Sequence, residues 1–351
     1  MEFLPKALGT RPRLAVEVRA EGVVAARAED AAALLTAVGH GELAEGALAP
    51  GLKAGNIADR SGVVAAVRSA LEGVAGRGME RSRYVTLVVP DAAARVLLLD
   101  FDTLPSKEAE ALPVVRFRLK KLLPFDADEA AVSYQVMSSA KDAVRVVAVA
   151  MPKDVLAEYE AVVTSAGYQP GAVLPSTLAA LAGLDESDAP VLVVNAGEGS
   201  VTTAIVQAGV LLLHRSVEMG SEARIEVHAP VPTPIPAPGG YDPFEAEAAM
   251  QTSTVGAEIE REAAEARAAD EAVQAVSVAA AYFEDTLRVA PETVLSAGTL
   301  GADALTSMMD ERGLRGLRVR EMVDASVLQA SAATAAVPRG WLAGVRGALR
   351  N

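Results

Sequence analysis

The chain has 351 residues, more than one ordinary hydrophobic core accommodates, so two or more packed units are expected. It is 51% hydrophobic and 22% charged, a globular composition, and its net charge of −14 disfavours nucleic acid as a partner. Cysteine is absent, which excludes disulfides, thiolate nucleophiles and cysteine-held zinc.

In chain order, residues 13–18 (RLAVEV) alternate as a strand, and 22–27 (GVVAAR) read as its hairpin partner across Ala20 and Glu21. Residues 61–78 place Val63, Val64, Val67, Leu71 and Val74 at helical spacing and end in glycine, predicting an amphipathic helix. YVTLVVP and RVLLLDFDTLP follow as strands, each stopped by proline. Ser106 then caps a short helix, and Pro113 is expected to restart a second one that runs to the stop at Pro124. AVSYQVM and VRVVAVAMP are the next strands, KDVLAEYEAVVTSAGY is a helix, and LPSTLAALAGL is another.

PVLVVNAGEGSVTTAIVQAGVLLLHRSV reads as three strands with turns at Ala196–Ser200 and Gln207–Gly209. It repeats the pattern of the opening block, which suggests a duplicated α/β architecture. From Pro230 to Pro238 proline falls at every second position, predicting an extended surface loop over 228–243. Residues 254–289 read as a helix or helix pair, ETVLSAGTLGADAL as strand, turn and helix, and GWLAGVRGALRN as a last helix.

The sequence contains no P-loop, nucleophile elbow or zinc-protease motif, and His40, His214 and His228 share no ligand spacing. No catalytic or metal residue is assigned. Two glycine-bearing turns, 195–201 and 296–301, follow apolar strands; they read either as simple strand ends or as the walls of a cleft. The run RFRLKKLLPF departs locally from the acidic whole, with Val115, Leu119 and Leu122 on an apolar face. Arg116, Arg118, Lys120 and Lys121 are there either as solvated charges or as contacts for an acidic partner or anionic headgroups. No run approaches the roughly 18 apolar residues of a membrane span, and the start lacks the apolar core of a signal peptide, so a cytoplasmic protein is expected.

The segments VVP…LLLDFDTLP, KKLLPFDADEAAVSYQV, VAVAMPKDVLAEYEAVVTSAGYQPGAV and GVLLLHRSVEMG, in that order, resemble the type IV pilus assembly protein PilM over about 85–220. The resemblance implies a two-lobed actin-like and FtsA-like fold of duplicated ribonuclease-H-like domains with an inserted α+β subdomain. The lobes would be 10–85 (with 172–188 and about 338–351) and 189–337, and the insertion 86–171. It also implies a cytoplasmic adaptor, peripheral to the inner membrane. Its partner would be the N-terminal tail of a PilN-like membrane protein, with a pilus motor ATPase and a second copy of the chain as further partners.

The family's cleft takes ATP with magnesium. Its first phosphate loop is replaced here by Glu17, Val18, Arg19, Ala20, Glu21, Gly22 and Val23, with Val24 in the lysine position. The second reads Asn195, Ala196, Gly197, Glu198, Gly199, Ser200 and Val201, and the adenosine turn keeps one glycine, Gly298. Were a nucleotide bound, Asn195, Gly197, Gly199, Ser200, Gly298 and Thr299 would hold it. The missing lysine and the added Glu21 and Glu198 favour a degenerate site without cofactor. The alternatives are a working actin-like ATPase or an FtsA-like filament-forming anchor with a membrane-binding C-terminal helix. EFLP, residues 2–5, resembles the hydrophobic-Leu-Pro core of the gripped tail.

Overall fold

The structure, a computed structural model, describes residues 12–75, 83–185, 187–219, 243–329 and 337–350. The EFLP segment, and the proline-rich run apart from Pro243, lie outside the described residues.

The first sheet begins with β1 (Leu14–Arg19), β2 (Gly22–Ala28) and β3 (Leu35–Glu42), joined antiparallel. Helix α1 (Arg60–Val74), capped by the Asp59 side chain, leads to β4 (Tyr84–Val89), which pairs parallel with β1. The chain leaves this sheet for β5 (Arg95–Phe101), α2 (Glu108–Leu119), β6 (Ala130–Ala140) and β7 (Ala143–Pro152), where the strands form a separate three-stranded sheet in the order β5-β7-β6. Helix α3 (Lys153–Ser165) returns it to β8 (Gln169–Pro175), parallel to β4, and α4 (Ser176–Ala182) follows.

The second sheet repeats the first. Strands β9 (Val191–Ala196), β10 (Ser200–Gln207) and β11 (Val210–Glu218) are antiparallel. The long helix α5 (Pro243–Leu287) leads to β12 (Thr293–Gly298), parallel to β9, then α6 (Ala302–Glu311), β13 (Arg318–Glu321) and the C-terminal α7 (Leu342–Leu349). The orders β3-β2-β1-β4-β8 and β11-β10-β9-β12-β13 are the same topology twice. The duplication expected from pattern is therefore present in full.

Side-chain parity explains why both central strands are buried on two faces. In β1, Leu14, Val16 and Val18 join α1 and α3 in one core, while Ala15 faces a second core containing α4 and α7. In β9, Leu192, Val194 and Ala196 pack on α5 and α6, while Val193 faces that same second core. Helices α4 and α7 thus form a central layer that both sheets share. Every residue of α7 is buried except the half-buried Arg346, so this helix belongs to the core and offers no apolar face for a membrane.

Two strands, β3 and β8, are not read from the sequence, and one helix differs from expectation. Strand β3 carries Gly39 and Gly41, which weaken a strand signal but let α1 lie at backbone distance: a methyl on either would collide with the carbonyl of Ala70 or Ala66. Strand β8 contains Pro170 and Pro175, which hide a strand signal, and Leu174 and Pro175, expected to open the next helix, belong to it; it is a sheet edge, where missing N–H groups are tolerated. Helix α2 runs unbroken through Pro113, whose ring is on the exposed side, and it ends at Leu119; Leu122 therefore leaves the apolar face and is 49% exposed.

The closest packing in the central layer is glycine-dependent. A methyl on Gly347 of α7 would collide with the Ala179 carbonyl of α4, whereas one on Gly51 would meet nothing within 4 Å. Gly347→Ala is expected to cost about 1–3 kcal/mol, read as a fall in urea midpoint, and Gly51→Ala to stay within about 0.5 kcal/mol.

Candidate functional site

The strand parity that buries Ala15 and Val193 carries one step further along each strand to a polar residue. On β1 that residue is Glu17, and on β9 it is Asn195; the sheet duplication brings them to opposite sides of the cleft between the lobes. Both are buried. Arg19, at the end of β1, lies between them, 9% exposed. Its Nε donates to Glu17 Oε1 at 2.7 Å, and its Nη2 donates to Ser176 Oγ at 2.5 Å and to Asn195 Oδ1 at 2.6 Å.

These groups are also bonded to one another and to their neighbours. Ser176 Oγ donates to Glu17 Oε1 at 2.6 Å, and Asn195 Nδ2 donates to Ser176 Oγ and Thr177 Oγ1, both at 2.9 Å. The buried Asp91 accepts the Thr177 backbone N–H at 3.0 Å and the Thr177 hydroxyl. The other Glu17 oxygen has no hydrogen bond among the described residues and lies where a Gly344 methyl would be. Burial pushes the Glu17 carboxyl above its ordinary range, against the opposing pull of the Arg19 charge and the Ser176 hydroxyl. Burial alone would lower the Arg19 value; the Glu17 and Glu21 charges outweigh it and keep the guanidinium protonated.

The β1–β2 turn then crosses to the other lobe. Glu21 Oε1 accepts the Glu198 backbone N–H at 2.7 Å and the Thr299 hydroxyl at 2.6 Å. The same carboxylate oxygen fills the space that a side chain at Gly197 would need.

Of the six residues expected at a nucleotide, Asn195 lies in the buried network and Thr299 holds Glu21. The Gly197 N–H closes the hairpin turn onto the Ser200 carbonyl, and Ser200 opens β10. Gly199 borders open space. Gly298, with φ 90°, is required by contact: a methyl would collide with the Ala196 carbonyl. Asp91, Ser176 and Thr177 were not anticipated from the sequence; they follow Pro90 and Pro175 at element ends and carry no motif.

The four basic candidates separate into two pairs. Arg116 donates to the Ala127 and Ala130 carbonyls and Lys120 pairs with Asp128 at 2.6 Å, so both brace the small subdomain. Arg118 and Lys121 are exposed beside the 67%-exposed Phe117, with Lys121 Nζ 5.8 Å from its ring centroid.

A second feature lies between the edges of two sheets. Strand β8 ends the first sheet and β6 ends the small one, and each has one side unpaired within the sheets. Together with α3 they enclose a cavity of about 280 Å³ whose walls include Val89, Val132, Met151, Leu156 and Val173.

Neither a protein-family model nor a curated protein matches the sequence. Solved structures do match. The PilM-PilN type IV pilus biogenesis complex aligns with a TM-score of 0.67, covering 96% of this chain and 98% of that one at 18% identity. The fold is actin-like. Weaker matches are the ethanolamine utilization protein EutJ from Carboxydothermus hydrogenoformans (TM-score 0.43, 13% identity, 96% and 89% covered). The cytoplasmic domain of EpsL, from the type II secretion system of Vibrio cholerae, also matches (TM-score 0.38, 12% identity, 65% and 78% covered). In this actin-like chain the two sheets supply the lobes, α4 and α7 supply the layer between them, and the Arg19 network sits where the lobes meet.

Replacing Arg19 by methionine leaves Glu17 buried without its counter-charge, which is expected to cost about 3–5 kcal/mol near neutral pH. Because the folded Glu17 carboxyl titrates above its unfolded value of 4.5, its favourable contribution is complete below that value and is lost as pH rises through the folded one. Denaturant titrations should therefore find the Arg19→Met deficit shrinking towards pH 5.

Proposed function

We propose that this chain is a non-catalytic adaptor of a type IV pilus, or of a related secretion platform, that grips the cytoplasmic N-terminal tail of a PilN-like membrane protein. It would lie at the inner membrane through that partner; no described helix is long and apolar enough to cross a membrane. The observation that carries the reading is the open, mostly apolar groove between the two outer strands β8 and β6. An extended tail lying there satisfies backbone groups on β8 or β6 and buries alternate side chains on Met151, Leu156 and Val173. The solved complex whose PilM-type fold this chain resembles contains PilN as partner, which supports the choice of tail.

The cleft supports the non-catalytic half of the reading. A bound polyphosphate would have to displace the Glu21 carboxylate from the Glu198 N–H and Thr299 hydroxyl and then meet its charge. Each hydrogen bond to a charged group is worth about 1.5–3 kcal/mol, so two lost bonds outweigh a weak nucleotide contact. Titration calorimetry of the full chain with Mg-ATP is expected to give no heat of binding up to millimolar ligand; saturable binding would make the cleft a working nucleotide site.

For the tail, fluorescence titration with a synthetic peptide of the cognate PilN-like N-terminus is expected to saturate. Ala172→Trp fills the groove from β8 and is expected to weaken binding at least tenfold, about 1.4 kcal/mol. Phe117→Ala, on the exposed face of α2, is expected to leave affinity within about twofold, as a side chain outside the interface should. The opposite ranking would move the contact to the basic helix, and no binding of any such peptide would remove the adaptor reading.

A further inference from the structure

We propose that Arg19 and Glu21 are a built-in ligand of the inter-lobe cleft, and that truncating the Glu21 side chain uncovers a site that takes a free phosphate oxyanion. The proposal rests on the degenerate reading of the cleft and is independent of the identity of the partner.

The Glu21 carboxylate is held by two donors that belong to different loops of the second lobe. The Glu198 N–H comes from the β9–β10 turn, and the Thr299 hydroxyl comes from the turn after β12. Two donors converging on one oxygen, with a glycine beside it at Gly197, form a cradle for an anion. In this chain the anion arrives on the β1–β2 turn of the opposite lobe. Two residues earlier, the end of β1 carries the cation. Arg19 is 9% exposed and donates to one residue of its own strand, Glu17, to Ser176 of α4, and to Asn195 of the second sheet. One short segment therefore presents a positive group to the buried polar network and a negative group to the cradle.

A dissociable ligand closes two lobes only while it is bound, so closure follows its concentration. A ligand on the chain is always present, at the effective concentration of an intramolecular contact. The lobes of this protein are accordingly held together whether or not nucleotide is available, and the groove between β8 and β6 is presented in one geometry.

Hydrogen exchange on the full chain tests this through the Glu198 amide. In the wild type that amide is expected to be protected, with no change on adding 50 mM inorganic phosphate. In Glu21→Ala its exchange is expected to rise at least tenfold, and phosphate should restore most of the protection and raise the melting temperature by a few degrees. Glu21→Gln keeps an acceptor and the volume, so it is expected to stay protected and indifferent to phosphate. Glu21→Ser, which also empties the cradle, is expected to behave as Glu21→Ala does and carries the test if that variant does not fold. Several results would overturn the proposal: unchanged exchange in Glu21→Ala, exposed Glu198 that phosphate does not protect, or a wild type as responsive to phosphate as the variant. Protection of Glu21→Ala by Mg-ATP with none from phosphate would also overturn it, by assigning the cradle to a whole nucleotide. Tail binding is read in a separate titration, so a failed tail complex leaves this result standing, and the reverse also holds.

Discussion

A guanidinium taken out of water is unfavourable unless its donors are satisfied and its charge is countered, and Arg19 places that requirement at the centre of the molecule. Its partners come from β1, from the start of α4 and from β9. Each is fixed by something else: Glu17 by strand parity, Ser176 by Pro175 and the helix that follows, Asn195 by the parity of the second sheet. Moving the lobes apart would strand a buried charge together with Asn195 and Ser176. The apolar layer of α4 and α7 brings the lobes together without direction, and the polar network specifies one relative placement.

Duplication makes that network possible. Two sheets of one topology put equivalent strands, β1 and β9, on either side of the same helix layer. Equivalent positions then face each other, which is why a carboxylate at 17 and an amide at 195 share one guanidinium. The difference between the copies lies in the turns. The first hairpin carries Arg19, at the end of β1, and Glu21, in its turn, towards the other lobe, while the second keeps Gly197 small and so leaves room for Glu21.

The β9–β10–β11 meander, α3 and the repeated opening pattern were legible because alternation and helical spacing act locally. Strands β3 and β8 were not, because the residues they need for long-range reasons are the ones that weaken a strand signal: glycines under α1, prolines at an edge. Helix α2 was divided wrongly at Pro113, since the local cost of proline was weighed without the core contacts of Ala111, Val115 and Leu119 that hold the helix together. At the site, the sequence located both turns and marked Glu21 and Glu198 as hostile to phosphate. It did not reveal that Glu21 would take up the donors itself, because the Glu198 N–H and the Thr299 hydroxyl are brought to it only by the closure of two lobes. Asp91, Ser176 and Thr177 carried no signal for the same reason.

The cleft and the groove do different physical work. At the cleft, Glu17, Glu21 and Asp91 each accept hydrogen bonds from fixed donors. The groove lies outside it, between a strand edge of the first lobe and one of the small subdomain, and its shape depends on how those two bodies are held. Strand β8 is continuous with α4, whose first residues, Ser176 and Thr177, are tied to Glu17, Arg19, Asp91 and Asn195. The polar network therefore fixes the end of the strand that forms one wall of the groove. The position of β8, and with it the edge on which the proposed extended partner would lie, thus follows from the polar network between the lobes.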